Sequence, residues 1–363
     1  TLLAECTRTG LKDRLVGSTQ IPLVEWLLLS DGREDPQIRY LVGTTHSDLT
    51  EDLLGVLRTC FPNSYEFREI EFHPRYIEEF LPIVDGGQPV TTSSTGQEID
   101  TRVYPYVAGV EYRGQATRKR DWQTPLQRFG RRGATRDETR WTPGGDPHHY
   151  AGHNQPTDTH EESGQSHRIP LAPLVETIRE ASVPVCYQVV CRPHDDWTSN
   201  AERYLKQLDE GRLGLASGVV EFISPRSREQ LAAYEPPLED RNRIAGIQQR
   251  DPQRTFAVSA RAVAMSRERP GRVEAVARRL RNALSSMNGQ YHTIVGHVQT
   301  DDELHGSTVP PGSAIFEDLC SRTLYSVNYE SFVNPFSRKT PESQGIVVAP
   351  AELPGLCVID GAG

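Results

Sequence analysis

Residues 256–298 carry the change of hydrophobic period that most constrains the fold of this chain. Apolar side chains first alternate one by one, as in a strand, at Phe256, Val258, Ala260, Ala262 and Ala264. They then follow one face of a 3.6-residue helix, at Val273, Val276, Ala277, Leu280, Leu284 and Met287. A second apolar run over 291–298 follows the helical pattern. The segment therefore predicts a strand–helix–strand unit.

A similar alternation over residues 20–73 predicts a second unit of the same kind. Within and after it, the patterns at 65–72 and 103–112 are typical of further strands. Strands and helices in this order predict an α+β fold of ferredoxin-like modules, either arranged in tandem or sharing one sheet. Their mixed or antiparallel sheets are expected to carry helices on one face.

Composition divides the chain into four parts. A first α+β module is predicted over 1–112 and a second over 169–345. Between them, 113–168 holds Leu126 as its only Leu, Ile or Val, so it cannot bury much apolar surface and is predicted to be a flexible Arg/His-rich insertion. Residues 346–363 are expected to be a linker towards a downstream domain, and both ends of the chain are expected to be cuts through a longer protein.

Charge and cysteine usage narrow the class of protein. The net charge of −9 excludes a protein that is basic throughout, so any contact with nucleic acid must come from a local patch. The six cysteines are scattered, and Cys186 and Cys191 are predicted to point to opposite faces of one strand. Reduced core thiols, no visible signal peptide and no apolar run long enough for a bilayer predict a cytoplasmic protein, placed at the inner face of the membrane only through partners.

The sequence lacks the motifs of several enzyme classes. A phosphate-binding loop needs Gly-Lys-Ser/Thr, and none of the four lysines follows a glycine. The Gly-x-Gly-x-x-Gly pattern after a strand and the Gly-x-Ser-x-Gly elbow are also missing. We therefore expect no catalytic residue, no cofactor-binding residue and no small-molecule substrate for this chain.

Five of the eleven histidines lie close together in the insertion, at His148, His149, His153, His160 and His167. Histidine tracts can bind transition metals. However, His160-Glu161 lacks the second histidine that a metalloprotease helix requires, since position 164 is Gly. A solvated loop is the preferred interpretation, and no metal site is predicted.

A basic segment with interleaved aromatic residues precedes the histidines. The candidate nucleic-acid contacts are Arg118, Lys119, Arg120, Trp122, Arg128, Phe129, Arg131, Arg132, Arg136, Arg140 and Trp141. Arginines bind phosphates and aromatic rings stack on exposed bases, a combination that suits single-stranded nucleic acid. The alternative is a loop that is solvated or pairs with acidic groups of this chain or of another subunit.

Several stretches resemble the N-terminal region of haloarchaeal conjugation or type IV secretion-type ATPases of the HerA/FtsK superfamily. They start at Pro22 (PLVEWLLLSDGRED), Leu57 (LRTCFPNSYE), Val110 (VEYRGQ), Asp121 (DWQTPL), Val185 (VCYQVV), Phe256 (FAVSARAVA) and Gly345 (GIVVAPAELP). The last stretch is similar to the segment just before the ATPase core.

The resemblance implies a non-catalytic region for assembly and partner docking in a DNA-translocating or secretion-type ATPase. ATP and Mg²⁺ would then be bound only by a downstream domain. The implied partners are further copies of the chain, joined through the downstream motor, together with DNA and a protein of a membrane complex. The alternative function is a nucleic-acid-binding module acting through residues 113–141.

Overall fold

The computed structural model describes residues 23–33, 36, 38–45, 49–60, 66–70, 106–127, 171–211, 234–266, 269–300, 311–329 and 340–357. The strands are β1 (Val24–Ser30), β2 (Ile38–Thr44), β3 (Tyr106–Ala116), β4 (Val185–Pro193), β5 (Phe256–Ser266), β6 (His292–Thr300), β7 (Glu342–Ser343) and β8 (Ile346–Val348). The helices are α1 (Thr50–Cys60), α2 (Ala172–Glu180), α3 (Thr198–Asp209), α4 (Leu238–Gln248), α5 (Pro270–Leu280), α6 (Pro311–Cys320) and the short α7 (Pro354–Cys357). The class is α+β, as predicted.

The eight strands form one antiparallel sheet. Its main order is β2-β1-β4-β5-β3-β6, while β7 pairs with β3 and β8 pairs with β5. β3 thus lies between β5 and β6, although it comes from the predicted first module and they come from the second. Tandem modules with separate sheets are therefore not confirmed, because the boundaries at 112 and 169 do not separate two sheets.

In the centre of the sheet, two strands that are joined through a helix are separated by a third strand. β3 and β4 run parallel to each other with β5 between them, and the chain that joins them contains α2. In the same way, β5 and β6 run parallel with β3 between them and are joined through α5. The strand–helix–strand unit predicted over 256–298 is confirmed, but its two strands are not neighbours in the sheet.

One face of the sheet packs against α2 and α5. Pro270 starts α5, where a missing N–H costs nothing, and arginines occupy its last turn, where they suit the helix dipole. Its inner side chains join Leu174 and Ile178 of α2 in the largest apolar cluster. The Tyr112 hydroxyl of β3 donates to the Leu280 carbonyl at 2.7 Å, which fixes the end of α5 over the sheet.

The other face is covered by α6, so the prediction that helices lie on one face only is wrong. Ile315 and Leu319 of α6 pack on apolar side chains of four strands, namely Leu27, Leu29, Val107, Cys186, Val263 and Met265. The prediction failed because β4 and β5 are almost continuously buried: alternation shows which face is apolar only when the other face is exposed. Cys186 and Cys191 do lie in clusters on opposite faces, as predicted.

Two segments predicted to lie outside the folded modules belong to the core in part. Residues 113–127 of the predicted insertion are ordered, and Leu126 is buried against the larger cluster. Residues 346–357 of the predicted linker form β8 and α7, and Ile346, Val348 and Leu356 have no exposed surface. Conversely, residues 66–70, predicted to lie in a strand, adopt no regular structure.

In the part of the chain that the structure describes, no helix is both long and apolar enough to cross a membrane.

Candidate functional site

The candidate site lies at the sheet edge where β3 and β4 end. Because these strands run parallel, residues 117–127 after β3 and residues 194–197 after β4 leave the sheet at the same edge. β5 and β6 begin there, and Ala116 pairs with His292. The helices α3 and α4 pack beyond this edge through a small apolar cluster that includes Trp197, Tyr204 and Ile247.

A buried carboxylate organises the loop after β3. Asp121 has no exposed surface, and its oxygens accept hydrogen bonds from the Tyr204 hydroxyl at 2.7 Å and from Arg243 Nε at 3.1 and 3.2 Å. One oxygen also accepts the backbone N–H of Arg118 at 3.0 Å. Burial, followed by the neighbouring Asp121, raises the pKa of Tyr204, which therefore stays a hydrogen-bond donor. The cluster ties the loop to both α3 and α4.

A second buried ion pair joins the same loop to the end of the described chain. Arg250 and Glu352 both have no exposed surface, and Arg250 Nη2 lies 3.1 Å from Glu352 Oε2. Arg250 also donates to the carbonyl oxygens of Trp122 at 2.8 Å and Val347 at 3.0 Å. Glu352 in turn accepts the backbone N–H of Leu126 at 3.2 Å. This pair fastens residues 122–126 to the segment 347–352.

Above these buried charges, three aromatic rings form the wall of a cavity of about 300 Å³. The Trp122 ring stacks on Tyr329 with an interplanar angle of 12° and a centroid distance of 6.0 Å. It meets the edge of Trp197 at 5.2 Å. Trp197 and Tyr329 are buried, whereas Trp122 is half-buried. Two of the three rings are anchored by hydrogen bonds: Trp197 Nε1 donates to Thr255 Oγ1 at 3.0 Å, and the Tyr329 hydroxyl lies 2.7 Å from His292 Nε2.

The mouth of the cavity carries charges of both signs. Lys119 and Arg120 contribute two cations, while Asp195 and Asp196 contribute two carboxylates. Asp196 is engaged in the turn before α3, because its Oδ1 accepts the backbone N–H of Thr198 at 2.8 Å. The remaining lining residues are Gln123, His194, Asn200, Val327 and Asn328.

Gln123 is the unusual polar group of this lining. Its side chain is 1% exposed, and no hydrogen-bond partner for its Oε1 occurs among the described residues. A buried amide oxygen without a partner costs free energy, of the order of 1–3 kcal/mol. Gln123 also lines the cavity, so its oxygen would gain a donor from a ligand or a water molecule if the side chain turned towards the cavity.

His292 is the buried titratable group below the wall. Burial lowers the pKa of its imidazole to about 3, with a smaller contribution from the nearby Arg250 guanidinium. The ring is therefore neutral at physiological pH. It supports Tyr329 as a hydrogen-bond partner and is not a cation for ligands.

This pKa predicts a specific pH dependence of stability. Below pH 6.5 the unfolded chain binds a proton at His292 that the folded chain does not bind until about pH 3, so this residue lowers the free energy of unfolding as the pH falls through that interval. We expect His292→Gln to remove a slope of up to about 1.4 kcal/mol per pH unit between pH 6 and 4. Urea unfolding of both proteins over this range measures the difference. Parallel curves would contradict the buried neutral imidazole.

The predicted nucleic-acid contacts fall into two groups. Arg128, Phe129, Arg131, Arg132, Arg136, Arg140 and Trp141 lie outside the described residues. The other four are described, and three of them have partners within the chain: Arg118 Nη1 lies 2.7 Å from Asp240 Oδ1, Arg120 Nη1 lies 2.6 Å from Gln207 Oε1, and Trp122 belongs to the aromatic wall. Lys119 is exposed at the mouth of the cavity.

The sequence interpretation missed most of the residues that surround Trp122. Trp197, Tyr329 and Arg250 lie far from it along the chain and carry no local motif, so only the strand order brings them together. The pair Asp195-Asp196 before a helical pattern was visible in the sequence as a helix start, but a capping pattern carries no information about a cavity.

Neither the side chains nor relatives identify a known activity. Within the described part of the chain, no group of three or more His, Cys, Asp or Glu side chains could hold a metal ion, and the histidine cluster at 148–167 lies outside it. Comparison with protein-family models, with curated proteins and with solved structures found no match to this chain.

Proposed function

We propose that this chain is a non-catalytic assembly and partner-docking region of a DNA-translocating or secretion-type ATPase. The observation that carries the proposal is the placement of 345–354, the stretch that resembles the segment before the ATPase core. Its strand β8 pairs with β5 at the centre of the sheet, and Glu352 is held by Arg250. A motor domain attached after this stretch would follow a segment that is itself packed on the sheet.

Under this proposal the chain works as a rigid platform in the cytoplasm. Residues 106–300 would form one ferredoxin-like module, because β3, α2, β4, β5, α5 and β6 follow a β-α-β-β-α-β order with split strand pairs. The β1–β2 hairpin extends that sheet beyond β4. Further copies of the chain and a membrane-complex protein would dock on such a platform, while ATP and Mg²⁺ would be bound only by the attached motor.

Two measurements test this proposal. The coding frame beyond Gly363 is expected to contain a Gly-Lys-Ser/Thr loop between a strand and a helix. The purified chain is expected not to hydrolyse ATP. Turnover that follows the protein peak through repeated purification would contradict a non-catalytic region, and a frame that closes without such a loop would contradict the ATPase assignment.

A second candidate function, nucleic-acid binding through 113–141, is favoured by one observation. Lys119, Arg120 and Trp122 of this segment meet at one cavity, where a cation and an aromatic ring lie side by side. Arg118 and Arg120 are already hydrogen-bonded within the chain. This argues against a role in which these two arginines only bind phosphates through their charge. The cavity, rather than the charge of the segment, is therefore what supports this function.

A further inference from the structure

The cavity at the end of β3 and β4 has the features of a preformed ligand site. Its volume of about 300 Å³ is at the small end of the range for small-molecule pockets. Its aromatic wall is held by hydrogen bonds of Trp197 and Tyr329 and by the bond from Arg250 to the Trp122 carbonyl. Rings that are fixed before binding lose little conformational entropy when a ligand stacks on them.

The chemistry of the lining selects a class of ligand. An aromatic wall suits a planar ring, and base–aromatic stacking contributes about 1–3 kcal/mol per base. The Lys119 ammonium group at the mouth suits a phosphate, and no ion pair or hydrogen bond of this group occurs within the described ranges. Asp195 and Asp196 also lie on the lining, but Asp196 already accepts hydrogen bonds from the backbone N–H and hydroxyl of Thr198 and from Gln253 Nε2. The aromatic wall and Lys119 therefore select the class of ligand, namely a planar ring that carries an anion.

The buried amide of Gln123 supplies an independent indication of a ligand. Its Oε1 lacks a partner among the described residues although the side chain is almost completely buried. This oxygen has almost no accessible surface, so a ring nitrogen or exocyclic amino group at the wall could donate to it only after the Gln123 side chain turns towards the cavity, which would remove the cost of the orphaned oxygen.

We propose that this cavity binds one nucleotide unit, with its base against the Trp122 wall and its phosphate at Lys119. The unit is either a free mononucleotide or an unpaired base of a single strand. This inference rests on the second candidate function and narrows it from a charged segment to one pocket. It is independent of the ATPase assignment, since either can fail without the other.

The test is calorimetric titration of the full chain with dAMP, with ribose 5-phosphate, which lacks the base, and with a single-stranded oligonucleotide of about ten nucleotides. We expect dAMP to bind and ribose 5-phosphate to bind at least about tenfold more weakly, because it cannot stack. An oligonucleotide that binds much more tightly than dAMP assigns the pocket to a single strand. Equal affinities assign it to free nucleotides.

Matched variants test whether dAMP binds in this pocket. Lys119→Glu is expected to weaken dAMP binding by about fivefold or more, since it replaces the phosphate contact by a repulsion. Lys206→Glu makes the same charge change on α3 outside the lining and is expected to change affinity by less than about twofold. Gln123→Leu removes the orphaned oxygen and should weaken binding without loss of the folded state.

Three results would overturn the proposal. The first is no binding of dAMP and oligonucleotide at concentrations up to about 10 mM. The second is an equal effect of Lys119→Glu and Lys206→Glu. The third is oligonucleotide binding that Gln123→Leu leaves unchanged but Arg131→Ala with Arg132→Ala weakens with a flatter salt dependence. That last result would show that the chain binds nucleic acid, but not in this pocket.

Discussion

Asp121→Asn is expected to lower the free energy of unfolding by about 3 kcal/mol. The carboxylate is buried and faces three donors, the Tyr204 hydroxyl, Arg243 Nε and the Arg118 backbone N–H. Asn keeps the size of the side chain but replaces one acceptor oxygen with a donor that faces other donors. The Arg243 guanidinium, 2% exposed, then loses its most buried counter-charge and keeps, among the described residues, the carboxylates of Asp240 and Glu239.

Glu274→Gln is the matched control for this measurement. It makes the same carboxylate-to-amide change in an i,i+4 pair on α5, where the partner Arg278 is 72% exposed. Exposed pairs of this kind contribute little, so the control should change stability by less than about 0.5 kcal/mol. Chemical denaturation of the three proteins compares them directly. Equal effects of the two substitutions would show that Asp121 does not organise the loop.

Secondary structure was largely predictable because it depends on local periodicity. The strand of Phe256–Ser266 and the helix of Pro270–Leu280 were both visible as a change of period. The strands that lie next to β5 in the sheet were not visible in the sequence. β3 separates β5 from β6, and nothing in the apolar pattern of Tyr106–Ala116 specifies which strands flank it. Strand order is set by packing between distant residues, which a single sequence does not reveal.

The last described residues show that a segment without a long periodic pattern is equally difficult to predict from one sequence. Residues 346–363 were predicted to be a linker, and the prolines at 350 and 354 are unfavourable for a long helix or strand there. However, a short strand and a turn need no long periodic pattern when a buried charge holds them. Glu352 is that charge, and its partner Arg250 lies about a hundred residues earlier. Composition cannot predict such a pair.

Only those residues of the candidate site that lie next to each other in the sequence could be predicted. The sequence placed Lys119, Arg120 and Trp122 together because they are adjacent, and they do lie at one cavity. The other walls come from the start of α3 and from residues 327–329. What looked like a basic nucleic-acid segment is, over 118–122, a loop whose arginines pair within the chain. Only the exposed lysine and the half-buried ring remain for a ligand.

Arg250→Met and Glu352→Leu are each expected to lower the free energy of unfolding by about 3–5 kcal/mol, because each removes one partner of an ion pair that has no exposed surface. The double variant removes both charges and should cost clearly less than the sum, with a coupling of about 2 kcal/mol. It should not reach wild-type stability, since the backbone partners of Arg250 at Trp122 and Val347 also lose a donor.

Arg254→Met provides the comparison, because the ion pair of Arg254 with Asp251 is 3.7 Å long and about half exposed. It is expected to cost less than about 0.5 kcal/mol. Urea denaturation of the cycle measures the coupling, and hydrogen exchange at Ile346–Val348 shows where each single variant opens. Additive single effects would mean that this pair does not fasten β8 to the sheet. Coupled effects, with exchange that speeds up at β8, would show that this ion pair holds β8 on the sheet, which the proposed role as a platform for an attached motor requires.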